Sequence, residues 1–117
     1  MANREYNMTP PNQGLELLYT SDCPAWPQAQ VNLEEALRQT DLAKEPWRLV
    51  MIETLEQAYA YNFFASPTIH IHGLDIEPQA RRAIRRALGT GRPYFSHGQA
   101  LIAPPVELII KAIKELY

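Results

Sequence analysis

The sequence predicts an α/β fold, with one domain in which helices flank a mixed sheet. Short apolar segments of strand length alternate with longer segments whose apolar residues recur at helical spacing. The chain has 117 residues, close to the commonest size of one domain. With 46% hydrophobic and 21% charged residues, it has the composition of a folded protein. The predicted order of elements is βαβαβ, a helical insertion, then βα.

The N-terminal segment, residues 1–14, is predicted to be a flexible lead-in to a single domain spanning residues 15–117. A proline pair and Gly14 interrupt any apolar pattern in this segment. Residues 15–20 are apolar and predict a buried strand that ends at Ser21. The helix that follows has apolar positions at helical spacing: Ala29, Leu33, Ala36 and Leu37.

A second strand and a second helix come next, at residues 47–52 and 54–63. The connection between neighbouring parallel strands crosses over in the right-handed sense in nearly all proteins. We therefore predict that the first two strands are parallel, with the first helix packed across one face of the sheet.

The second half of the chain predicts two more strands and two helices. Apolar and polar residues alternate over residues 68–73, as in a strand. Residues 78–88 predict a short amphipathic helix with Ile84 on its buried face, and residues 92–96 predict a fourth strand. The pairing of the third and fourth strands stays open, because about twenty residues separate them. The last helix has the clearest apolar face: Val106, Ile109, Ile110, Ile113 and Leu116.

The net charge of −2 gives no reason to expect nucleic acid or an anionic membrane as a partner. The charge is uneven, however: residues 1–60 carry four basic and nine acidic side chains, and residues 61–117 carry seven and four. No apolar run approaches the roughly 20 residues of a membrane span, and the N-terminus has no run like that of a signal peptide. We therefore expect a cytoplasmic protein.

Cys23 is the only cysteine, so neither an internal disulfide nor a cysteine-based zinc site is available. It stands between the first strand and the first helix, and Pro24 after it is favoured at the first helical position. As the helix N-cap, its thiolate would accept hydrogen bonds from the N–H groups of Ala25 and Trp26. These donors and the helix dipole would lower the thiol pKa and make Cys23 a nucleophile.

Three considerations oppose this interpretation of Cys23. Asp22 is negatively charged and would raise the thiol pKa. Pro27 removes a backbone donor, so the helix could begin there with Trp26 as its cap. A lone cysteine is also often a small buried hydrophobic residue. Both interpretations of Cys23 stay open.

A strand, Cys-Pro at a helix start and a later Ser-Pro-Thr leading into another strand resemble the thioredoxin-like fold. The resemblance spans about Leu15 to Leu116 and is closest to a group of small bacterial thioredoxin-like proteins. The motifs that carry it are Leu17-Leu18-Tyr19, Cys23-Pro24 with Trp26, Ser66-Pro67-Thr68-Ile69, Gly73 with Asp75, and Arg92 with Tyr94.

The resemblance implies a reactive Cys23 that faces a cis peptide bond before Pro67. It also implies that Ser66 and Thr68 offer a backbone edge to an extended substrate, a form of strand addition. The substrate-binding residues implied are Pro24, Trp26, Ser66, Pro67 and Thr68. No cofactor is implied.

The sequence departs from the family pattern at two positions. Trp26 replaces the second cysteine of Cys-x-x-Cys, and Gly91 stands where close relatives often have a cysteine before Arg-x-Tyr. No resolving thiol remains in the chain. Any redox chemistry of Cys23 would therefore pass through a mixed disulfide with another thiol, such as glutathione or a partner protein.

Two further groups of residues have alternative interpretations. His70 and His72 share a predicted strand face and, with His97 or Asp75, form a candidate metal site. The simpler interpretation is that both histidines are solvated or packed beneath a helix, since no zinc-module spacing accompanies them. The aromatic cluster before Pro67 is expected to be mostly core, with one or two rings beside Cys23: Tyr59, Tyr61, Phe63 and Phe64.

Arginines are concentrated in the predicted insertion helix, at positions 81, 82, 85 and 86. Such a stripe is a candidate site for phosphate or an acidic partner. We favour a solvated helix face, because no aromatic residues or nucleic-acid module accompany it. Together with Arg92, the stripe is also a candidate homodimer contact with the acidic first half of a second copy.

Two functional hypotheses follow. The leading one is a monothiol thiol-disulfide oxidoreductase in which Cys23 attacks a disulfide or another soft electrophile. The alternative is a redox-inactive binding module that keeps the fold without thiol chemistry.

Overall fold

A mixed four-stranded sheet forms the centre of the fold in the computed structural model, which describes residues 11–117. The strands are β1 (Leu15–Tyr19), β2 (Trp47–Met51), β3 (Thr68–Ile71) and β4 (Leu74–Asp75), in the spatial order β2-β1-β3-β4. β1 pairs in parallel with β2 and antiparallel with β3, and β3 pairs antiparallel with β4. The predicted α/β domain with a mixed sheet and a parallel first pair is confirmed.

Two helices cover one face of the sheet: α1 (Trp26–Gln39) and α3 (Val106–Leu116). Their apolar faces pack on alternate residues of the strands, such as Leu17 of β1 and Ile69 of β3. Because successive side chains of a strand point to opposite faces, Leu18 belongs instead to a smaller core on the other side. Both predicted helices are therefore confirmed. The four predicted core residues of α1 are all buried, whereas in α3 Ile109 and Ile113 are buried and Val106, Ile110 and Leu116 are half-buried against the core.

The helix α2 (Leu55–Ala60) packs in the smaller core through Ala58. It begins with a capping box, in which the Thr54 hydroxyl accepts from the Gln57 N–H and the Gln57 side chain accepts from the Thr54 N–H. The helix ends at Ala60, earlier than the predicted position 63. Asn62 then adopts a left-handed conformation (φ 54°), which ends regular helix geometry.

The predicted amphipathic helix at residues 78–88 is wrong. Only a 3₁₀ turn forms, over Pro78–Arg82, and Ala83 is extended (φ −68°, ψ 131°). Ile84, predicted to be buried, is 91% exposed. The chain leaves the helix here because residues beyond it run alongside the segment before Pro67, where Gly89 forms a bridge with Ala65.

The predicted fourth strand is also placed differently. Residues Tyr94–Ser96 form β5, which pairs with β6 (Gln99–Leu101) in a separate two-stranded hairpin. The fourth strand of the main sheet is β4, which follows β3 after a tight turn at His72 and Gly73, both with positive φ (52° and 82°). A two-residue strand is too short to have an alternation pattern, so no periodicity indicated β4.

The predicted lead-in lies partly outside the described residues, which begin at position 11. The residues of it that are described contact the domain. Asn12 donates its backbone N–H to Glu16 (3.2 Å) and its side-chain amide to the Ala60 carbonyl (3.0 Å). The Gly14 carbonyl accepts a hydrogen bond from the His72 N–H (2.8 Å).

Candidate functional site around Cys23

Cys23 lies in the turn between β1 and α1, where its N–H donates to the Thr20 carbonyl (3.1 Å). The helix begins at Trp26 and has Ala25 as its N-cap. The predictions of Cys23 or Trp26 as the cap are therefore both wrong. Cys23 precedes the cap by two residues because the turn at residues 20–23 ends before helical geometry begins. Pro27 sits in the first helical turn, a position that does not need its missing N–H.

Polar groups from three parts of the chain favour the thiolate form of Cys23. They are the hydroxyl groups of Ser66 and Thr90 and the backbone N–H groups of Ala25 and Gly91. Burial by itself raises the thiol pKa, but the donors favour the thiolate, and the pKa is lowered overall. The predicted donation from Ala25 is present.

The Cys23 side chain is covered, with only 3% of the residue exposed. The predicted nucleophile is therefore not accessible to a substrate in this conformation. The covering layer includes Thr90 and Gly91, which lie in a loop rather than in the main sheet.

Ser66 connects Cys23 to the strand that follows Pro67. This residue is fully buried, and its Oγ has no hydrogen-bond partner within residues 11–117. The Ser66 hydroxyl lowers the pKa of the Cys23 thiol. The Ser66–Pro67 peptide bond is cis, as the resemblance implies.

The backbone of Ser66 is already paired within the chain. Its N–H donates to the Gly89 carbonyl (2.8 Å), and its carbonyl accepts from the Arg92 N–H (2.9 Å). The Thr68 hydroxyl donates to the Ala65 carbonyl (2.6 Å) and accepts from Arg92 (2.8 Å). The prediction that Ser66 and Thr68 present an open edge is wrong for this conformation, because residues 89–92 occupy that edge.

Arg92 is buried and holds residues 89–92 against the sheet. Its guanidinium pairs with both oxygens of Asp75 (2.9 and 3.0 Å) and with Glu77 (2.7 Å). It also lies over the rings of Phe64 and Tyr94, 4.8 and 4.7 Å from their centroids. Burial lowers its pKa, and these partners raise it more strongly, so Arg92 stays charged.

Tyr94 contacts the backbone at Pro67. It is fully buried, and its hydroxyl donates to the Pro67 carbonyl (2.5 Å). Burial raises the pKa of this phenol. Arg92 and Tyr94 therefore both bind the segment that follows Ser66, through Thr68 and the Pro67 carbonyl.

An apolar groove of about 220 Å³ lies beside Cys23, between the start of α1 and the β5-β6 hairpin. Pro24, a predicted site residue, lines this groove. Trp26, another predicted site residue, packs on Tyr19 with ring centroids 4.5 Å apart. The other residues that line the groove are Ala25, Gly91, Arg92, Pro93, Ala100, Leu101 and Ile102.

Sequence reasoning did not find Thr90, whose hydroxyl acts on the sulfur. The signal available was the Gly89-Thr90-Gly91 sequence, since closely spaced glycines mark a close approach of the backbone. A side chain on Gly89 would place its Cβ 2.6 Å from the Phe64 carbonyl oxygen, so only glycine fits there.

The predicted histidine pair is not on one shared face. His70 is buried, and burial lowers its pKa to about 4. His72 lies in the turn after β3 and stacks on Tyr117, with centroids 5.5 Å apart. Within residues 11–117 no group of three or more metal-binding side chains is found.

The predicted arginine stripe is not a helix face. Arg81 donates to Glu115 through two hydrogen bonds of 3.1 Å and to the Asp75 carbonyl (2.7 Å). Arg86 donates to the carbonyl of Ala83 (2.9 Å). Arg81 therefore binds the irregular segment, residues 78–88, to α3. Arg86 forms a hydrogen bond within that segment.

Comparison of the chain with models of protein families, with curated proteins and with solved structures gives no match. In residues 11–117, no helix has the length and apolar character required to cross a membrane.

Proposed function

We propose that this protein is a thioredoxin-like thiol protein that reacts through the Cys23 thiolate. The observation that carries the proposal is the lowered pKa of the Cys23 thiol, which polar groups of Ser66, Thr90, Ala25 and Gly91 produce against the effect of burial. A buried cysteine that served only to fill space would need no such donors, because a neutral thiol is a weak hydrogen-bond acceptor.

The fold assignment is part of the proposal and has two supports. Cys23 precedes a helix that packs on the sheet, and the cis peptide bond joins Pro67 to Ser66, whose hydroxyl lowers the pKa of the Cys23 thiol. The strand order β2-β1-β3-β4, with one parallel and two antiparallel pairs, agrees with this assignment.

The proposed reaction is thiol-disulfide exchange. The Cys23 thiolate attacks one sulfur of a disulfide, a new S–S bond forms, and the second sulfur leaves as a thiolate. Cys23 is the only cysteine of the chain, so an external thiolate must attack the mixed disulfide. That attack releases Cys23 as a thiolate and leaves the external thiol in a new disulfide. Glutathione or a protein thiol would serve as this co-substrate.

The donors have a specific role in this reaction. When Cys23 leaves the mixed disulfide, negative charge returns to its sulfur, and the hydroxyl of Ser66 and the N–H of Ala25 stabilise that charge. A lower thiol pKa makes Cys23 a better leaving group. The site is therefore suited to releasing the mixed disulfide as well as to forming it.

A second candidate function is a binding module without thiol chemistry, favoured by the 3% exposure of Cys23. The β5-β6 hairpin and the residue after it present large exposed apolar side chains, Phe95 (64%) and Ile102 (69%), next to the groove. Partner binding by this surface would survive the substitution Cys23→Ser.

The deciding experiment measures the rate of Cys23 alkylation by iodoacetamide as a function of pH. We expect an apparent pKa below the ~8.5 of a free thiol. The variant Ser66→Ala removes a donor and should move this pKa upward. Ser96→Ala is the matched control, because the Ser96 hydroxyl donates to Glu107 of α3 and does not act on the Cys23 thiol. Cys23→Ser gives the labelling background.

Two outcomes would overturn the proposal. One is an apparent pKa at or above that of a free thiol. The other is an equal pKa in the wild type and in Ser66→Ala, which would show that the hydroxyl does not act on the thiolate. Either result would favour the binding module.

A further inference from the structure

Residues 89–92, called the strap below, run along the segment that precedes Pro67. The Gly89 N–H donates to the Phe64 carbonyl (3.0 Å), and the Ser66 N–H donates to the Gly89 carbonyl (2.8 Å). The Arg92 N–H donates to the Ser66 carbonyl (2.9 Å). The strap thus uses the backbone groups that an added strand would use.

The strap also covers the thiol. Thr90 and Gly91 lie at its middle, and the Thr90 hydroxyl and the Gly91 N–H both lower the pKa of the Cys23 thiol. Both residues are themselves exposed on their outer side. One layer of chain therefore separates the sulfur from solvent, which explains how Cys23 is 3% exposed and still near the surface.

The two ends of the strap are held unequally. Arg92 is anchored by Asp75, Glu77 and two aromatic rings. The chain before Gly89 is held more weakly: Leu88 is 46% exposed, and the Ala87 N–H makes one long hydrogen bond to Phe63 (3.3 Å). Segments with exposed side chains and few backbone bonds open at low free-energy cost.

We propose that the strap is an internal gate, which closes over Cys23 in the resting protein and lifts at residues 89–91 to admit a substrate while Arg92 stays in place. This inference rests on the proposed function, because a gate matters only if the thiol reacts. Lifting frees the Ser66 N–H and the Phe64 carbonyl for an incoming chain. The donors from Ser66 and Ala25 remain on the sulfur, because neither belongs to the strap.

The first test uses Gly89→Ala. Its added Cβ would lie 2.6 Å from the Phe64 oxygen and 3.1 Å from the Ala65 Cβ, so the strap must move away. Since this raises the open fraction of the gate, iodoacetamide should label Cys23 at least about tenfold faster than in the wild type at pH 7. The matched control is Gly98→Ala, at a hairpin turn with positive φ (79°) and open space around the Cβ.

The outcomes of this test are distinct. Faster labelling in Gly89→Ala alone supports the gate. Equal labelling of Gly89→Ala and the wild type overturns it, because the displaced strap then does not limit access. Equal acceleration in both variants also overturns it, because the effect then comes from general loss of stability.

The second test needs only the wild-type chain and stays decisive if Gly89→Ala does not fold. Labelling of the native protein should be at least about tenfold slower than labelling of the urea-unfolded chain. It should also be insensitive to urea below the unfolding transition, because lifting a short strap exposes little surface. A native rate equal to the unfolded rate, or a urea slope equal to that of global unfolding, would overturn the gate.

The gate and the proposed function can fail separately. Fast labelling of Gly89→Ala with an ordinary thiol pKa would support the gate and reject the thiolate chemistry. A wild-type thiol that reacts freely with a lowered pKa would support the chemistry and reject the gate.

Discussion

The burial of His70 makes the stability of the fold depend on pH. Its side chain lies in β3 with the Nε2 atom 3.9 Å from Asp75, while Nδ1 is buried and has no hydrogen-bond partner within residues 11–117. Burial is the largest cause of its low pKa, which Arg92 and Arg86 lower further and Asp75 raises. The imidazole is therefore neutral at pH 7.

This pKa predicts a loss of stability in acid. Because the folded pKa is about 4 and the ordinary value is 6.5, the unfolded chain binds more protons at the pH values between them. His70 therefore destabilises the fold progressively as pH falls from about 6.5 to about 4, by about 3 kcal/mol in total. Urea unfolding at several pH values measures this change.

The matched variants for this prediction are His70→Gln and His97→Gln. Since Glu16 has a raised pKa and contributes the opposite pH dependence, the difference between each variant and the wild type is the relevant quantity. His70→Gln should flatten the curve over this range. His97→Gln should leave it unchanged, because His97 lies exposed in the hairpin turn. The same curve in all three proteins would contradict the assignment.

At Cys23 the residue type identifies a candidate nucleophile, and the surrounding groups decide whether its thiol pKa is raised or lowered. The sequence identified the thiol, the neighbouring prolines and Ser66 as a site. It placed the donors in the helix N-terminus, whereas the structure draws two of them from residues 90 and 91. Those two residues are distant in sequence from Cys23, so no local pattern could show them.

Among the elements, residues 78–88 differ most from expectation. Alanines, Ile84 and arginines at helical spacing predicted an amphipathic helix, yet the chain extends from Ala83 onward. Helical spacing indicates only a weak preference for helix. Tertiary contacts override it when another arrangement buries more apolar surface or forms better hydrogen bonds and ion pairs. Here the competing contacts are the pairing of Gly89 with Ala65 and the binding of Arg81 to Glu115.

This difference gives a direct test by mutation. In the predicted helix Ile84 would be a core residue, but it is 91% exposed. We therefore expect Ile84→Ala to change the free energy of unfolding by less than about 0.5 kcal/mol. The control Ile109→Ala, in α3 and fully buried, should cost roughly 2–5 kcal/mol. Chemical denaturation of both variants measures the contrast, and equal losses would indicate a buried Ile84.

At the scale of the whole molecule, Arg92 connects parts that are separate in sequence. It joins β4 through Asp75, β3 through Thr68 and the strap through its own backbone. The site around Cys23 therefore depends on the buried charge network of Arg92, Asp75 and Glu77. This network stabilises the arrangement only while every member is paired.

Removal of Arg92 should consequently destabilise the whole domain. Arg92→Ala leaves the buried Asp75 carboxylate without its partner, and such a loss typically costs roughly 3–5 kcal/mol. Arg92→Lys should recover only part of this, because an ammonium group cannot form the paired contact with both oxygens or stack on the rings. Urea denaturation checks both variants.

The control for this prediction is Arg82→Ala, since Arg82 is an exposed neighbour of the same type. It should change stability by less than about 0.5 kcal/mol. A loss in Arg92→Ala no greater than that in Arg82→Ala would mean that the buried network contributes nothing to the fold.

The sequence by itself determined the elements with strong local signals. Apolar periodicity placed α1, α3 and the first three strands, and the crossover rule made β1 and β2 parallel. These signals suffice to predict the elements, because the apolar pattern of a helix or strand lies within a short run of consecutive residues. The residue types of the candidate site, Cys23 and the segment at Ser66, were visible for the same reason.

Only the tertiary structure decided what lies against those residues. The strap over Cys23, the burial of Arg92 and the separate β5-β6 hairpin all depend on contacts between residues far apart in the chain. The spacing of residues along the sequence does not specify such contacts, because they arise from the packing of whole elements. Whether the Cys23 thiol is open or covered is therefore a property of the folded chain.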